Sequence, residues 1–176
     1  ILLSTILEKH QLTYHMNVEV LYITVGTTEF NELITKIDCD CFLNFLVSHR
    51  CRKLILQIGR GTYFPSYLEK ETKAVNIDFN CYRFKPSLTD DMKEATSIIS
   101  HAGAGSISEC LSLKKYLLIV VNNSLMDNHQ TELADAVVSR GYCYQCVVDT
   151  IYSTLADLTS IKRDREKDDE GERERE

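Results

Sequence analysis

The chain has 176 residues, of which 44% are hydrophobic and 26% are charged, and its formal net charge is −6. This length and composition are typical of one globular domain with a real hydrophobic core. The net negative charge argues against a protein that attracts nucleic acid or anionic lipid through an overall positive potential. No stretch of the sequence approaches the roughly 18–20 apolar residues that a membrane-spanning helix needs.

Both ends differ from the middle of the chain. Residues 1–15 are predicted to be a leader or an expression remnant, since Met16 directly precedes the first strong strand and fits a natural start. The opening "ILLSTIL" is not a signal peptide by its sequence, because it lacks the basic start and the cleavage site. Residues 162–176, "KRDREKDDEGERERE", are predicted to be a charged, disordered tail. Residues 16–161 are predicted to form the single domain.

The first half of this domain contains three predicted strands. "VEVLYITV" (Val18–Val25) is rich in β-branched residues and ends at Gly26. The helical segments "FNELITKI" and "CFLNFLVSH" follow, then the strand "KLILQIG" (Lys53–Gly59) and the loop "GRGTYFPS". Ala74–Phe84 alternates like a strand, and "SLTDDMKEA" is predicted to be a short helix with Ser87 as its N-cap.

The second half repeats a strand–loop–helix order. Strand Ser97–Ser100 leads to the helix "SISECLSLK", and strand Tyr116–Val121 leads to the helix "HQTELADAVVSRG", which ends at Gly141. The strand "YCYQCVV" and a short helix near Tyr152–Leu158 follow. This alternation predicts an α/β fold: one Rossmann-like domain with a mainly parallel sheet covered on both faces.

In such folds ligands bind outside the carboxyl ends of the strands. Gly26, the loop at Gly103 and the loop Asn122–Gln130 each follow a predicted strand. The sequence therefore predicts that these three loops share one edge of the sheet.

Seven cysteines occur without a disulfide-like spacing or an export signal, which favours reduced thiols. The pairs Cys39/Cys41 ("CDC") and Cys143/Cys146 ("CYQC") lack a second pair at metal-ligand spacing and do not open a helix. Both pairs are predicted to be buried structural cysteines.

The stretch "SHAGAGSISEC" has the features of a phosphate-binding loop. Gly103 and Gly105 let backbone N–H groups approach a ligand, and a helix predicted to begin near Ser106 directs its dipole to the same place. A diphosphate fits such a site, with His101 as a hydrogen-bond donor and Glu109 as an acceptor for two vicinal ribose hydroxyls.

The same residues also fit roles that involve no sugar nucleotide. Ser106 and Glu109 have the spacing of a capping box, in which the glutamate binds no ligand, and His101 fits a core histidine bonded to a carbonyl. Gly103, Gly105 and Ser108 form a weak dinucleotide fingerprint. NAD binding is disfavoured, because the loop follows a late strand and the next strand ends in asparagines.

Two further loops are polar. "TVGTTEF" contains Gly26, Thr27 and Thr28. In "NNSLMDNHQ", Asp127 fits a helix N-cap, which leaves a run of amides and an imidazole that suits sugar hydroxyls: Asn128, His129 and Gln130. Nucleophile-elbow and metal-binding histidine motifs are absent from the sequence.

Taken together, "YITVGTTEFNELI", "SHAGAGSISECL" and "NNSLMDNHQTELADAVVSRGY" resemble the family of small catalytic subunits of the eukaryotic UDP-N-acetylglucosamine transferase. The resemblance runs from about Val18 to Leu158. More distantly, the chain is similar to the carboxy-terminal, donor-binding half of GT-B glycosyltransferases. The resemblance implies GlcNAc transfer from UDP-GlcNAc to dolichyl-diphosphate-GlcNAc in the second step of N-glycan precursor assembly.

The resemblance also implies roles for individual residues. His101 and Glu109 are the implied catalytic residues. The implied donor-binding residues lie in three loops: Gly26, Thr27, Thr28, Gly103, Ala104, Gly105, Ser106, Asn128, His129 and Gln130. The resemblance implies no metal. It also implies no cofactor, because UDP-GlcNAc is the donor substrate.

A GT-B enzyme needs two Rossmann-like halves, and this sequence accounts for one. The resemblance therefore implies a membrane-anchored, acceptor-side partner that recruits a cytoplasmic subunit to the endoplasmic reticulum, with docking through a helix around Thr150–Ile161. The alternative hypothesis is a non-catalytic, regulatory module that binds a nucleotide sugar.

Overall fold

The structure is a computed structural model, and it describes residues 16–122, 134–139, 141 and 143–160. The predicted leader (residues 1–15) and the predicted tail (residues 162–176) lie outside the described residues. The same holds for Asn128, His129 and Gln130.

Six strands form one sheet in the order β3-β2-β1-β4-β5-β6, and every neighbouring pair is parallel. The strands are β1 (Val20–Thr24), β2 (Lys53–Gln57), β3 (Asp78–Tyr82), β4 (Ser97–His101), β5 (Tyr116–Val121) and β6 (Tyr144–Val147). This confirms the predicted α/β class and the parallel, Rossmann-like arrangement.

Helices cover the sheet on both sides. They are α1 (Asn31–Ile37), α2 (Asp40–Ser48), α3 (Ser66–Ala74), α4 (Thr89–Glu94), α5 (Ala104–Ser112) and α6 (Ile151–Ser160). Residues 134–138 are also helical, and Val148–Thr150 form a 3₁₀ turn.

Each face of the sheet has its own apolar cluster, because successive strand residues point to opposite sides. Leu21 and Ile23 pack with α1, α2 and α6, whereas Val20 and Tyr22 pack with α4 and α5. All five residues of β1 are buried, as expected for a central parallel strand.

Helix α3 was not predicted. The sequence was interpreted there as a loop to Ser66 and a strand from Ala74, but Ser66–Ala74 is helical and β3 begins at Asp78. Only Leu68 and Thr72 of this helix are buried, so its apolar periodicity is too weak to identify it from the pattern.

The cysteine prediction is correct in part. All seven cysteines are free thiols, and Cys143 and Cys146 are buried as predicted. Cys39 is only half-buried, with its Sγ 3.1 Å from the hydroxyl of Tyr152. Cys41 is exposed, so the prediction of a buried cysteine is wrong there: it lies in the first turn of α2, whose buried residues begin with Phe42.

Helix α6 uses its apolar face within the domain. Ile151, Leu155 and Leu158 belong to the core, and the Leu158 carbonyl accepts a hydrogen bond from the Met16 N–H at 3.0 Å. Docking through this helix therefore stays a prediction that would have to use its outer side. Within the described ranges, no helix combines the length and the apolar character needed to cross a bilayer.

The central strands should carry most of the fold's stability. Ile99 in β4 is fully buried, and its replacement by alanine is expected to lower the free energy of unfolding by about 2–5 kcal/mol through lost apolar burial and a residual cavity. Urea denaturation measures this loss. Val47→Ala, on the exposed side of α2, is the control and should change stability by less than about 0.5 kcal/mol. Equal losses in the two variants would contradict this assignment of the core.

Candidate functional site

The candidate site lies where the strand order reverses. Strand β1 pairs with β2 on one side and with β4 on the other, so the chain leaves β1 and β4 in different directions and opens a crevice at their carboxyl ends. Thr24 pairs with Ser100 in this register. The loops that follow Thr24 and Ser100 are therefore neighbours, as predicted for Gly26 and the Gly103 loop.

The His101 imidazole lies between the glycines of these two loops. A Cβ on Gly26 would stand 2.5 Å from His101 Cε1, and a Cβ on Gly103 would overlap His101 Nε2. Gly26 also has a φ of +59°, in the left-handed region that favours glycine. Both positions thus need a residue without a side chain, because the ring occupies that space.

Burial lowers the pKa of His101, and a hydrogen bond to the Thr24 backbone raises it to a smaller extent. The imidazole is therefore neutral at physiological pH. Its Nδ1 is buried and has no hydrogen-bond partner within the part of the chain that the structure describes. The hydrogen bond to the Thr24 backbone fits the alternative of a core histidine held by a carbonyl, so that alternative stays open beside the ligand-binding one.

Helix α5 begins earlier than predicted. Its N-cap is Gly103 and its first residue is Ala104, not a residue near Ser106. The Ile107 N–H makes the first intrahelical bond, to the Gly103 carbonyl at 3.0 Å. No side chain caps the helix. Three N–H groups of its first turn therefore find no acceptor among the described residues, those of Ala104, Gly105 and Ser106.

Gly105, in this turn, is not crowded by the described part of the chain. Among the described residues, no atom lies within 4 Å of the place that a Cβ on Gly105 would take. Free N–H groups, the positive end of the helix dipole and an uncrowded backbone therefore coincide at one place. This arrangement is suited chemically to an anion with several oxygens.

The capping-box interpretation of Ser106 and Glu109 is wrong, because Gly103 is the N-cap. Glu109 Oε1 instead accepts a hydrogen bond from Thr89 Oγ1 at 2.5 Å. The half-buried carboxylate is thus tied to the first residue of α4 and not to the start of its own helix.

A buried polar network fixes the turn after β1. Thr24 Oγ1 accepts from the Gly26 N–H at 3.0 Å and donates to Gln57 Oε1, which also accepts from the Tyr22 hydroxyl at 3.3 Å. Sequence reasoning missed Thr24 and Gln57 as supporting residues. The available signal was a polar residue at the end of each apolar strand, in "LYIT" and "LILQ".

The two threonines after Gly26 differ in their surroundings. The Thr28 hydroxyl donates to the Val25 carbonyl at 2.7 Å, so its proton is used within the turn. Thr27 is exposed. Of the pair, Thr27 has the more accessible hydroxyl.

The third predicted loop is only partly described. Strand β5 ends at Val121, and Val120 pairs with His101, so Asn122 begins its loop at the same edge. The positions of Asn128, His129 and Gln130 lie outside the described residues. Three or more histidine, cysteine or acidic side chains do not cluster as metal ligands anywhere in the described ranges.

Comparison with known proteins gives a consistent family. Residues 20–176 match a family described as the glycosyltransferase family 28 C-terminal domain. The chain is 41% identical to the UDP-N-acetylglucosamine transferase subunit ALG13 of Mus musculus over 125 residues, which are 71% of this chain and 10% of that protein. It is 31% identical to the Saccharomyces cerevisiae subunit of the same name, covering 73% of this chain and 77% of that protein.

Solved structures agree with this likeness. An NMR solution structure of ALG13 superimposes with a TM-score of 0.58 and 26% identity, covering 80% of this chain and 85% of that one. The crystal structure of Acinetobacter baumannii MurG gives a TM-score of 0.55 at 17% identity, covering 91% of this chain and 43% of that one. At this identity it supports the fold alone. The chain spans about a tenth of the length of its mammalian relatives: 10% of the Mus musculus protein and 11% of the Homo sapiens protein.

Replacing Gly26 by alanine should displace His101. The left-handed backbone is expected to make this variant about 1–2 kcal/mol less stable, and the overlap with the ring adds to that loss. Gly141→Ala is the matched control, since Gly141 has a φ of +74° and an added Cβ would meet no atom of the described residues within 4 Å. NMR resonances of the His101 ring should move only in Gly26→Ala. Equal stability losses with an unmoved ring would refute the proposed packing.

The lowered pKa of His101 predicts a pH dependence of stability. As pH falls through about 6.5, the unfolded chain takes up a proton before the folded protein does, so the free energy of unfolding falls until the pH passes below the folded pKa. His101→Asn should lack this component. NMR titration should give a His101 pKa below about 6.5, and a value above it would contradict the burial argument.

Proposed function

The chain belongs to the family of glycosyltransferase family 28 C-terminal domains, and on this premise we propose that it is the donor-binding catalytic subunit of a UDP-N-acetylglucosamine transferase. The observation that carries the proposal is the free start of α5 beside His101 and Gly26 at the strand-order reversal. The name of the relatives supplies the donor, UDP-N-acetylglucosamine.

The donor diphosphate is proposed to lie against the first turn of α5. Ala104, Gly105 and Ser106 offer N–H groups, and the open space at Gly105 admits phosphate oxygens. Gly26 and Thr27 are proposed to face the same phosphates from the end of β1. Binding through main-chain dipoles does not require a metal ion or a cationic side chain in this proposal.

His101 is proposed to donate a hydrogen bond to a phosphate oxygen. Its neutral imidazole keeps one N–H, and low solvent access strengthens a hydrogen bond to an anion. Glu109 is proposed to accept hydrogen bonds from the ribose hydroxyls. Asn128, His129 and Gln130 are proposed to contact the sugar.

The proposed reaction is an inverting displacement. The acceptor 4-hydroxyl attacks the anomeric carbon of the donor, the bond to the diphosphate oxygen breaks, and UDP leaves with the electron pair. The free N–H groups of α5 and the N–H of His101 would stabilise the charge that develops on the diphosphate. A general base takes the acceptor proton, and we place this base on the partner.

The acceptor side is proposed to come from a membrane-anchored partner at the cytosolic face of the endoplasmic reticulum, with dolichyl-diphosphate-GlcNAc as acceptor. The described residues form one Rossmann-like unit, whereas a GT-B site lies between two. The word "subunit" in the names of the relatives agrees with such an assembly.

The direct test is a transfer assay with UDP-GlcNAc and dolichyl-diphosphate-GlcNAc. Three samples are compared: this chain, the membrane partner, and the assembled complex. Product from the complex alone supports the proposal. An assembled complex that binds UDP-GlcNAc without turnover would instead favour the non-catalytic, regulatory module.

Glu109→Gln is expected to lower kcat/KM for UDP-GlcNAc by about 10- to 100-fold, since charged hydrogen bonds to the ribose are weakened. The complex should still assemble, which size-exclusion chromatography checks. Glu94→Gln is the matched control, because Glu94 is exposed and pairs with Lys53 at the opposite, amino-terminal edge of the sheet. Equal activity of the two variants would exclude Glu109 from the site.

A further inference from the structure

The contact between Thr89 and Glu109 joins two helices at the proposed ribose position. Thr89 is the first residue of α4, and Glu109 lies in the second turn of α5, 20 positions later in sequence. The hydroxyl donates and the carboxylate accepts, with Oγ1 and Oε1 2.5 Å apart. Both side chains are half-buried, so water competes for this bond less than it would on an open surface.

This bond is not part of helix capping. The N-cap of α4 is Leu88, and no side chain caps this helix. The Thr89 N–H does receive local support from Ser87 Oγ, at 3.2 Å. The Thr89 hydroxyl itself has Glu109 as its hydrogen-bond acceptor, so the bond points across to α5 and away from its own backbone.

The start of α4 is held firmly enough to act as a support. Asp91, two residues after Thr89, is buried and accepts hydrogen bonds from Lys85 Nζ at 2.8 Å and from the Tyr82 hydroxyl. The Tyr82 hydroxyl is in turn 3.1 Å from that of Tyr22 in β1. Thr89 is thus connected through α4 to β3 and to the central strand.

We propose that Thr89 is a positioning residue that orients the Glu109 carboxylate for the ribose of the donor. This inference rests on the proposed function. Oε1 is held by Thr89, whereas Oε2 has no hydrogen-bond partner in the described part of the chain. A glutamate has three side-chain torsions, and fixing them before the ligand arrives reduces the entropy lost on binding.

The alternative to a positioning role is that the Thr89 hydroxyl competes with the donor for the Glu109 carboxylate. If the Thr89 hydroxyl merely occupies the carboxylate in place of a ribose hydroxyl, it competes with the donor, and its removal would tighten binding. Orientation predicts that removal weakens binding. The direction of the change therefore separates the two roles.

The test compares Thr89→Val, which keeps the shape and removes the hydroxyl, with Thr89→Ser, which keeps the hydroxyl. In the assembled complex, Thr89→Val is expected to raise KM for UDP-GlcNAc about 3- to 10-fold, the effect of ordering one long side chain, with kcat within about twofold. Thr89→Ser should remain within about twofold of the parent protein in both constants.

A double-mutant cycle with Glu109→Ala shows whether Thr89 acts through Glu109. In a Glu109→Ala background, Thr89→Val should leave KM unchanged, because no carboxylate remains to be oriented. The same rise in both backgrounds would mean a general effect on folding and would overturn the proposal. An unchanged or lowered KM in Thr89→Val alone would overturn it as well.

The outcomes also separate this inference from the proposed function. Normal transfer by the parent complex with no effect of Thr89→Val refutes only the positioning role. A parent complex that neither transfers GlcNAc nor binds UDP in calorimetric titration refutes the proposed function, and the positioning role with it.

Discussion

The packing of one imidazole between two glycines determines the geometry of the candidate site. His101 ends β4, and its ring fills the space that side chains at Gly26 and Gly103 would need. These glycines belong to the loops after β1 and β4, so the ring brings both loops together where the strand order reverses. Because Thr24 pairs with Ser100 in the parallel register, the two loops begin at the same level along the strands.

The chemistry of the site follows from this packing. Burial favours the neutral imidazole, and Gly103 starts α5 without a side-chain cap, which leaves three N–H groups with no acceptor among the described residues. In the proposed function, a chain with a formal net charge of −6 binds a diphosphate through main-chain dipoles. Glu109, held by Thr89, places an acceptor one turn further along the same helix.

The sequence predicted the fold and the shared edge well, because buried β-branched strands alternate with helices and each strand leads into a polar loop. It failed where the signal was weak or long-range. Helix α3 buries only two side chains, and the glycines around Ala104 hid the true start of α5. Contacts such as Thr24 with Gln57, or Thr89 with Glu109, join residues that no local pattern relates.

The central claim is that the free N–H groups at the start of α5 hold the donor diphosphate. Hydrogen–deuterium exchange of residues 101–110 in the assembled complex, with and without UDP-GlcNAc, tests it most directly. We predict that the donor slows exchange at Ala104, Gly105 and Ser106, while Lys53 and Glu94 at the opposite edge exchange as before. Exchange at these three amides that stays unchanged under saturating donor would contradict the claim.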